Sequence, residues 1–92
     1  MKKRLHLYIS GYVQGVGFRW HAEKVARRIK GLTGFVRNLA DGRVEVVVEG
    51  DPPLVHQFNQ DLRNGMLSRN IDRIETAEEP YTGEFPDFSI AF

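Results

Sequence analysis

The sequence predicts an α+β fold: a two-layer sandwich in which two helices cover one face of an antiparallel sheet. The element order is β-α-β-β-α-β with a short fifth strand. Two observations carry this expectation: β-rich or alternating runs are interleaved with two runs of helical spacing, and glycine or proline stands at the joints. The 92 residues and 10.6 kDa amount to a single domain, read here as spanning 1–92.

Leu5, Leu7 and Ile9 alternate with His6, Tyr8 and Ser10, the pattern of a half-buried strand. Gly11-Tyr12-Val13-Gln14-Gly15-Val16-Gly17 forms a glycine-rich loop. Beyond it, Phe18, Ala22, Val25, Ala26 and Ile29 recur at helical spacing, and Lys30-Gly31 supplies a stop. Gly34–Asn38 and Val44–Glu49 are β-rich runs around Asp41-Gly42, a hairpin-turn dipeptide. The second helix begins with Asp51 as N-cap and Pro52 at its first position, buries Leu54, Val55, Phe58 and Leu62, and closes at Asn64-Gly65. From Ile71 the chain is weakly patterned, whereas Phe88, Ile90 and Phe92 alternate cleanly, which gives a fourth strand and a short fifth.

This order is the split βαβ, ferredoxin-like arrangement. A right-handed crossover makes the first two strands run the same way with the third inserted antiparallel between them. The glycine loop and Arg19 follow the first strand and Asn38 ends the second. Topology therefore places them at one sheet edge, about 10 Å apart across two strand spacings.

Thirteen Lys and Arg against twelve Asp and Glu leave a net charge of +1, so no global field favours nucleic acid or an anionic membrane. Any anion binding must be local. The absence of cysteine excludes disulfides, thiolate nucleophiles and Cys-ligated metal, and the His residues at 6, 21 and 56 are too dispersed for a metal motif. No metal or cofactor is expected. The basic start, Met1 to Arg4, is followed by a run broken by His6, Ser10 and Gly11, not by the apolar core of an export signal, and no stretch approaches a membrane span. The expectation is a cytoplasmic monomer with no membrane partner.

Glycines 11, 15 and 17 free the loop to curl, aiming the N–H groups of Gln14, Gly15, Val16, Gly17, Phe18 and Arg19 into one concavity at the positive end of a helix. Arg19 at its lip presents a planar fork matching two phosphate oxygens. Spacing alone equally allows a tight turn with a surface arginine, and neither standard nucleotide-phosphate fingerprint is met. Asn38 is either a strand-end residue or an amide holding a water in one orientation. His21, two residues past Arg19, reads as a helix-surface histidine, with a phosphate-accepting nucleophile as the alternative. Lys24, Arg27, Arg28 and Lys30 read as a solvated basic face.

The blocks Gly11-Tyr12-Val13-Gln14-Gly15-Val16-Gly17-Phe18-Arg19 and Gly34-Phe35-Val36-Arg37-Asn38-Leu39-Ala40-Asp41-Gly42-Arg43-Val44, with Gly50, resemble acylphosphatase. The resemblance implies a hydrolase that splits the mixed anhydride of a carboxylic and a phosphoric acid without metal or covalent intermediate. It implies that Arg19 binds the phosphate and Asn38 orients the attacking water. The segment Gly65-Met66-Leu67-Ser68-Arg69-Asn70 departs from the family's usual Gly-Pro and small-residue stretch, without touching either block.

An acyl phosphate has a good carboxylate leaving group and a loose transition state, so positioning and charge stabilisation suffice and no strong general base is required. Inorganic phosphate or sulfate is expected to occupy the same cradle. Two rivals stand against this reading: a binding or regulatory domain of the same family without turnover, and an RNA-binding module of the same fold. The third strand, Val44-Glu45-Val46-Val47-Val48-Glu49, lacks the aromatics that stack bases and carries two carboxylates, which argues against nucleic acid.

Overall fold

The computed structural model describes residues 1–92. Its elements are β1 (Lys3–Gly11), α1 (Phe18–Arg28), β2 (Thr33–Asn38), β3 (Val44–Gly50), α2 (Pro52–Arg63), β4 (Ile71–Glu79) and β5 (Phe88–Ile90). The strands form one sheet in the order β4-β1-β3-β2-β5. β1 pairs antiparallel with β3 and β4, and β2 antiparallel with β3, as the split βαβ order requires. The fifth strand differs from the expected all-antiparallel sheet: β5 lies parallel to β2, so the sheet is mixed. The cause is the long connection after β4, which carries the chain back across the sheet before β5 begins.

Register sorts the side chains. Leu5, Leu7 and Ile9 stand opposite Val48, Val46 and Val44, and Val36 opposite Val46, all on one face. Phe18, Ala22, Val25 and Ala26 of α1 and Val55, Phe58 and Leu62 of α2 close over that face to form a single core. Each fully buried aliphatic or aromatic side chain there contributes about 1.5–3 kcal/mol. Asp51 occupies the N-cap position of α2 with Pro52 next, as expected, but its carboxylate makes no capping hydrogen bond.

The opposite face, open in a minimal two-layer sandwich, is covered. Central β3 is buried along its whole length because the segment from Pro80 to Asp87 crosses over it between the two sheet edges. Three contacts trace the path. Glu84 Oε1 accepts from Arg4 Nη1 of β1 at 3.2 Å, Glu49 of β3 binds Thr82 and Gly83, and Phe85 meets Phe35 of β2 edge-on with ring centroids 5.7 Å apart. Farther along the face, Glu45 accepts from His6 Nε2 at 2.7 Å and pairs with Arg37. Burial pushes the Glu45 carboxyl up, but the bonds from His6 and Arg37 outweigh it and hold the group below its ordinary 4.5.

The weakly patterned segment from Ile71 forms a nine-residue edge strand. One backbone edge pairs along β1 while most of its side chains face solvent, so only Ile71 and Ile74 pack against the core.

Candidate active site

The loop between β1 and α1 withholds its hydrogen bonds. No backbone N–H from Gln14 to Arg19 makes a well-formed bond to a backbone carbonyl, the first helical bond being His21 N–H to the Gly17 carbonyl at 3.0 Å. Helix starts ordinarily satisfy these donors with a Ser, Thr, Asp or Asn cap and favour acidic residues in the first turn. α1 has neither: its N-cap is Gly17, with no side chain, and its first turn holds no carboxylate. Gly15 and Gly17 lie in the left-handed region, at φ +77° and +84°, and a Cβ at either would meet nothing within 4 Å. The glycines are thus required by backbone conformation, and the space they face is open. Left-handed residues alternating with right-handed ones turn successive N–H groups to the same side, making a concave anion-binding nest.

Arg19 stands beside this nest without a carboxylate partner. Arg27, Arg37 and Arg43 are paired with Glu23, Glu45 and Asp41, but no such bridge reaches Arg19. Its guanidinium lies over the ring of Phe92, 5.6 Å from the centroid.

Asn38 ends β2 opposite Val44, in phase with Val36, and so shares the helix-side face. Its Oδ1 is screened from solvent and receives no hydrogen bond from the protein. Arg37, one residue earlier, points to the other face and pairs with Glu45. Asn38 and Arg19 line one small pocket of about 180 Å³ together with Gly15, Gly17, Ile90 and Phe92. The two sequence blocks therefore converge as the topology required.

Two contributors were not foreseen. The Gln14 side-chain amide donates to the Leu39 carbonyl at 2.7 Å and to the Arg43 carbonyl at 3.0 Å, pinning the glycine loop to the β2–β3 hairpin that carries Asn38. The sequence pattern signals only its backbone N–H. Ile90 and Phe92 enter the pocket because β5 runs parallel to β2 and delivers its C-terminal end to the same edge as Asn38. The strand signal at Phe88, Ile90 and Phe92 was legible, but its direction was not.

His21 corrects its expectation as a helix-surface residue. It is half-buried between the helices, edge-on to Phe18 at 5.9 Å, and lines a separate groove. Burial pushes its imidazole below the ordinary 6.5, the Leu62 carbonyl opposing and Arg28 and Lys24 adding to the shift. Two residues turn about 200° around a helix, so His21 projects away from Arg19 and does not line the pocket shared by Arg19 and Asn38. Lys24, Arg27, Arg28 and Lys30 are exposed as expected.

Fold and pocket together define a class: a small α+β domain that brings loop N–H groups without protein acceptors, an arginine without a carboxylate partner and a side-chain amide to one sheet edge. Comparison with known proteins gives the family. The profile of the acylphosphatase family matches residues 5–90. Acylphosphatase of Syntrophus aciditrophicus (strain SB) is 46% identical over 92 residues, covering 100% of this chain and 95% of that one. The crystal structure of acylphosphatase from Bacillus subtilis superposes with a TM-score of 0.89 at 33% identity, covering 100% of both chains. A full-length HypF in phosphate- and nucleotide-bound form gives a TM-score of 0.86 at 27% identity, with the match confined to 12% of that chain. The chain belongs to the acylphosphatase family, and its function is hydrolysis of the carboxyl–phosphate bond.

Proposed function

We propose that hydrolysis proceeds by direct in-line attack of a water oriented by Asn38 on a phosphate held by the Gln14–Arg19 loop and the Arg19 guanidinium. The observation that carries this reading is the run of unpartnered backbone N–H groups beside an arginine with no carboxylate partner. A phosphoryl group supplies the missing acceptors. Three of its oxygens gather negative charge in the transition state, and fixed N–H dipoles with a guanidinium stabilise it without reorganisation. The side-chain amide of Asn38 holds the attacking water in one orientation. As the water oxygen bonds to phosphorus, the phosphorus–acyl oxygen bond breaks and the carboxylate leaves with the electron pair. The water's proton passes to a phosphate oxygen.

The mechanism needs no Lewis acid, because the carboxylate leaves readily and charge is met by the loop and Arg19. The substrate class is a small acyl phosphate, with inorganic phosphate or sulfate as competing site ligands. The outer sheet face, where a module of this fold would stack RNA, is occupied by the 80–87 segment and the Glu45 and Glu49 networks. We take the enzyme to be a single-domain, cytoplasmic monomer, and no helix is long and apolar enough to cross a membrane.

The test is turnover of a small acyl phosphate in EDTA with inorganic phosphate as competitor. Hydrolysis that survives chelation and is inhibited competitively supports the mechanism. Activity lost on chelation and restored by a divalent ion overturns it.

A further inference from the structure

A second groove adjoins the phosphate pocket and is larger, about 570 Å³ against 180 Å³. Gly17 and Trp20 line both, so the two share a rim at the first turn of α1. One wall is α1, with Trp20, Lys24 and Arg28; the other is the end of α2 and its connection, with Asp61, Met66 and Leu67. Trp20 and Met66, one on each wall, are 77% and 88% exposed.

The direction of the reaction points here. In a phosphoryl transfer the attacking and leaving oxygens are roughly in line. Asn38 lies on the flank of α1 that packs against β2 and β5, and the groove lies on the other flank, against α2. Water approaching from Asn38 therefore expels the acyl oxygen toward the groove. The phosphate pocket is the smaller of the two.

The chemistry of the walls narrows the class. Trp20 and Met66 offer an aromatic and a polarizable thioether surface at the mouth, where stacking and sulfur contacts favour a flat apolar body. Lys24 and Arg28 follow Trp20 at one-turn intervals, about 6 and 12 Å along the helix axis, and no ion pair engages either, the nearby bridge being Arg27 to Glu23. His21 also lines the groove, its imidazole pushed below the ordinary 6.5 by burial. On the facing wall, Asp61 accepts a hydrogen bond from Gln57 at 2.8 Å.

We infer that this groove is the acyl-binding subsite, taking acyl phosphates with an aromatic or extended apolar body that ends in a carboxylate near Lys24. The inference rests on the proposed position of the water at Asn38, and its failure is separable from failure of that reading.

The experiment measures kcat/KM for acetyl, benzoyl and 4-carboxybenzoyl phosphate in the wild type, Trp20→Ala, Met66→Ala and Lys24→Ala. Intrinsic reactivity cancels when substrate ratios are compared between variants. The benzoyl-to-acetyl ratio should fall roughly tenfold in Trp20→Ala and by a smaller factor in Met66→Ala, as for loss of one apolar pocket contact. The 4-carboxybenzoyl-to-benzoyl ratio should fall about two- to fivefold in Lys24→Ala, with part of the preference lost at high salt. Inhibition by inorganic phosphate is the control for an intact cradle. Hydrolysis of all three substrates with ratios unchanged in every variant overturns the subsite and leaves the phosphate mechanism standing. Absence of turnover on any acyl phosphate overturns both. Should Trp20→Ala fold poorly, Met66→Ala, at an exposed position, still decides.

Discussion

The molecule contains two places where backbone N–H groups gather, and they are treated oppositely. On the outer face, the N–H groups of Thr82 and Gly83 and the Thr82 hydroxyl donate to Glu49 at 3.0, 3.1 and 3.1 Å. Glu49 is 1% exposed. At the start of α1, the N–H groups from Gln14 to Arg19 have no carboxylate at all. The arginines beside the two sites follow suit. Arg4 is shared among Glu49, Glu79 and Glu84, whereas Arg19 has no carboxylate partner. The filled nest is a fastening that ties the 80–87 segment to the sheet. The loop at α1 has no such protein acceptor, which fits the proposed site for a transient oxyanion.

If this contrast is correct, disabling the empty nest should remove activity without stability, and disabling the filled one the reverse. The largest effect is expected from Arg19→Ala, a rate loss of about 10³ to 10⁵ by analogy with other arginines that neutralise transferring phosphoryl groups. Its Tm should stay close to that of the wild type, because no ion pair is broken. Arg19→Lys should not restore activity, since an ammonium cannot reproduce the fork. A lysine variant within tenfold of the wild type contradicts the assigned role.

Asn38→Ala comes next, with kcat lower by roughly 10² to 10³, the range for loss of one preorganised polar contact. Competitive inhibition by phosphate should be nearly unchanged, which separates orienting water from holding phosphate. Asn38→Asp should be at least as damaging, because it adds a negative charge beside an anionic substrate. Near-normal turnover in both variants would remove Asn38 from the mechanism.

Glu49→Ala tests the filled nest. It removes the acceptor that ties Thr82 and Gly83 to β3, each bond contributing about 0.5–1.5 kcal/mol net, so a clear fall in Tm is expected while kcat/KM of the folded fraction stays close to wild type. An equal loss of activity and stability would mean that the two faces are not separable. Gln14→Ala should fall between these limits. It removes the bonds to the Leu39 and Arg43 carbonyls, loosening the loop relative to Asn38, and kcat should drop more than stability does.

The smallest effect concerns acid. His21 has its pKa lowered in the folded state by burial, so the unfolded chain binds the proton more readily. Its contribution to stability is complete above the ordinary 6.5 and declines as pH falls from there toward the folded value. Glu45 is also lowered, and its contribution is complete above 4.5 and is lost as pH falls through the folded value. Acid unfolding should therefore show an upper step that is absent in His21→Phe and a lower one that is absent in Glu45→Gln. Persistence of the upper step in His21→Phe contradicts the first assignment.

What the sequence revealed and what it hid divides along the same two faces. The glycine loop, Arg19 and Asn38 were legible because each depends on local pattern plus one topological rule. Asn38 in particular is in phase with Val36, so period two alone sends it to the helix side. The outer face was not legible. Nothing local announces that Thr82 and Gly83, more than thirty residues on, will bind Glu49, or that His6 and Arg37 will close on Glu45. The direction of β5 and the side-chain bonds of Gln14 depend on that same long connection or on hairpin carbonyls, and carbonyls carry no residue-type signal.

The most direct measurement of the contrast between the two nests is a titration of the ¹⁵N-labelled protein with inorganic phosphate, following each backbone amide. We expect the resonances of Gln14 through Arg19 to move together and saturate at a Kd equal to the competitive inhibition constant, with Thr82 and Gly83 unmoved and the response abolished in Arg19→Ala. A titration in which the loop amides stay still, or in which only the amides around Lys24 and Arg28 respond, would contradict the assignment of the empty nest as the phosphate site.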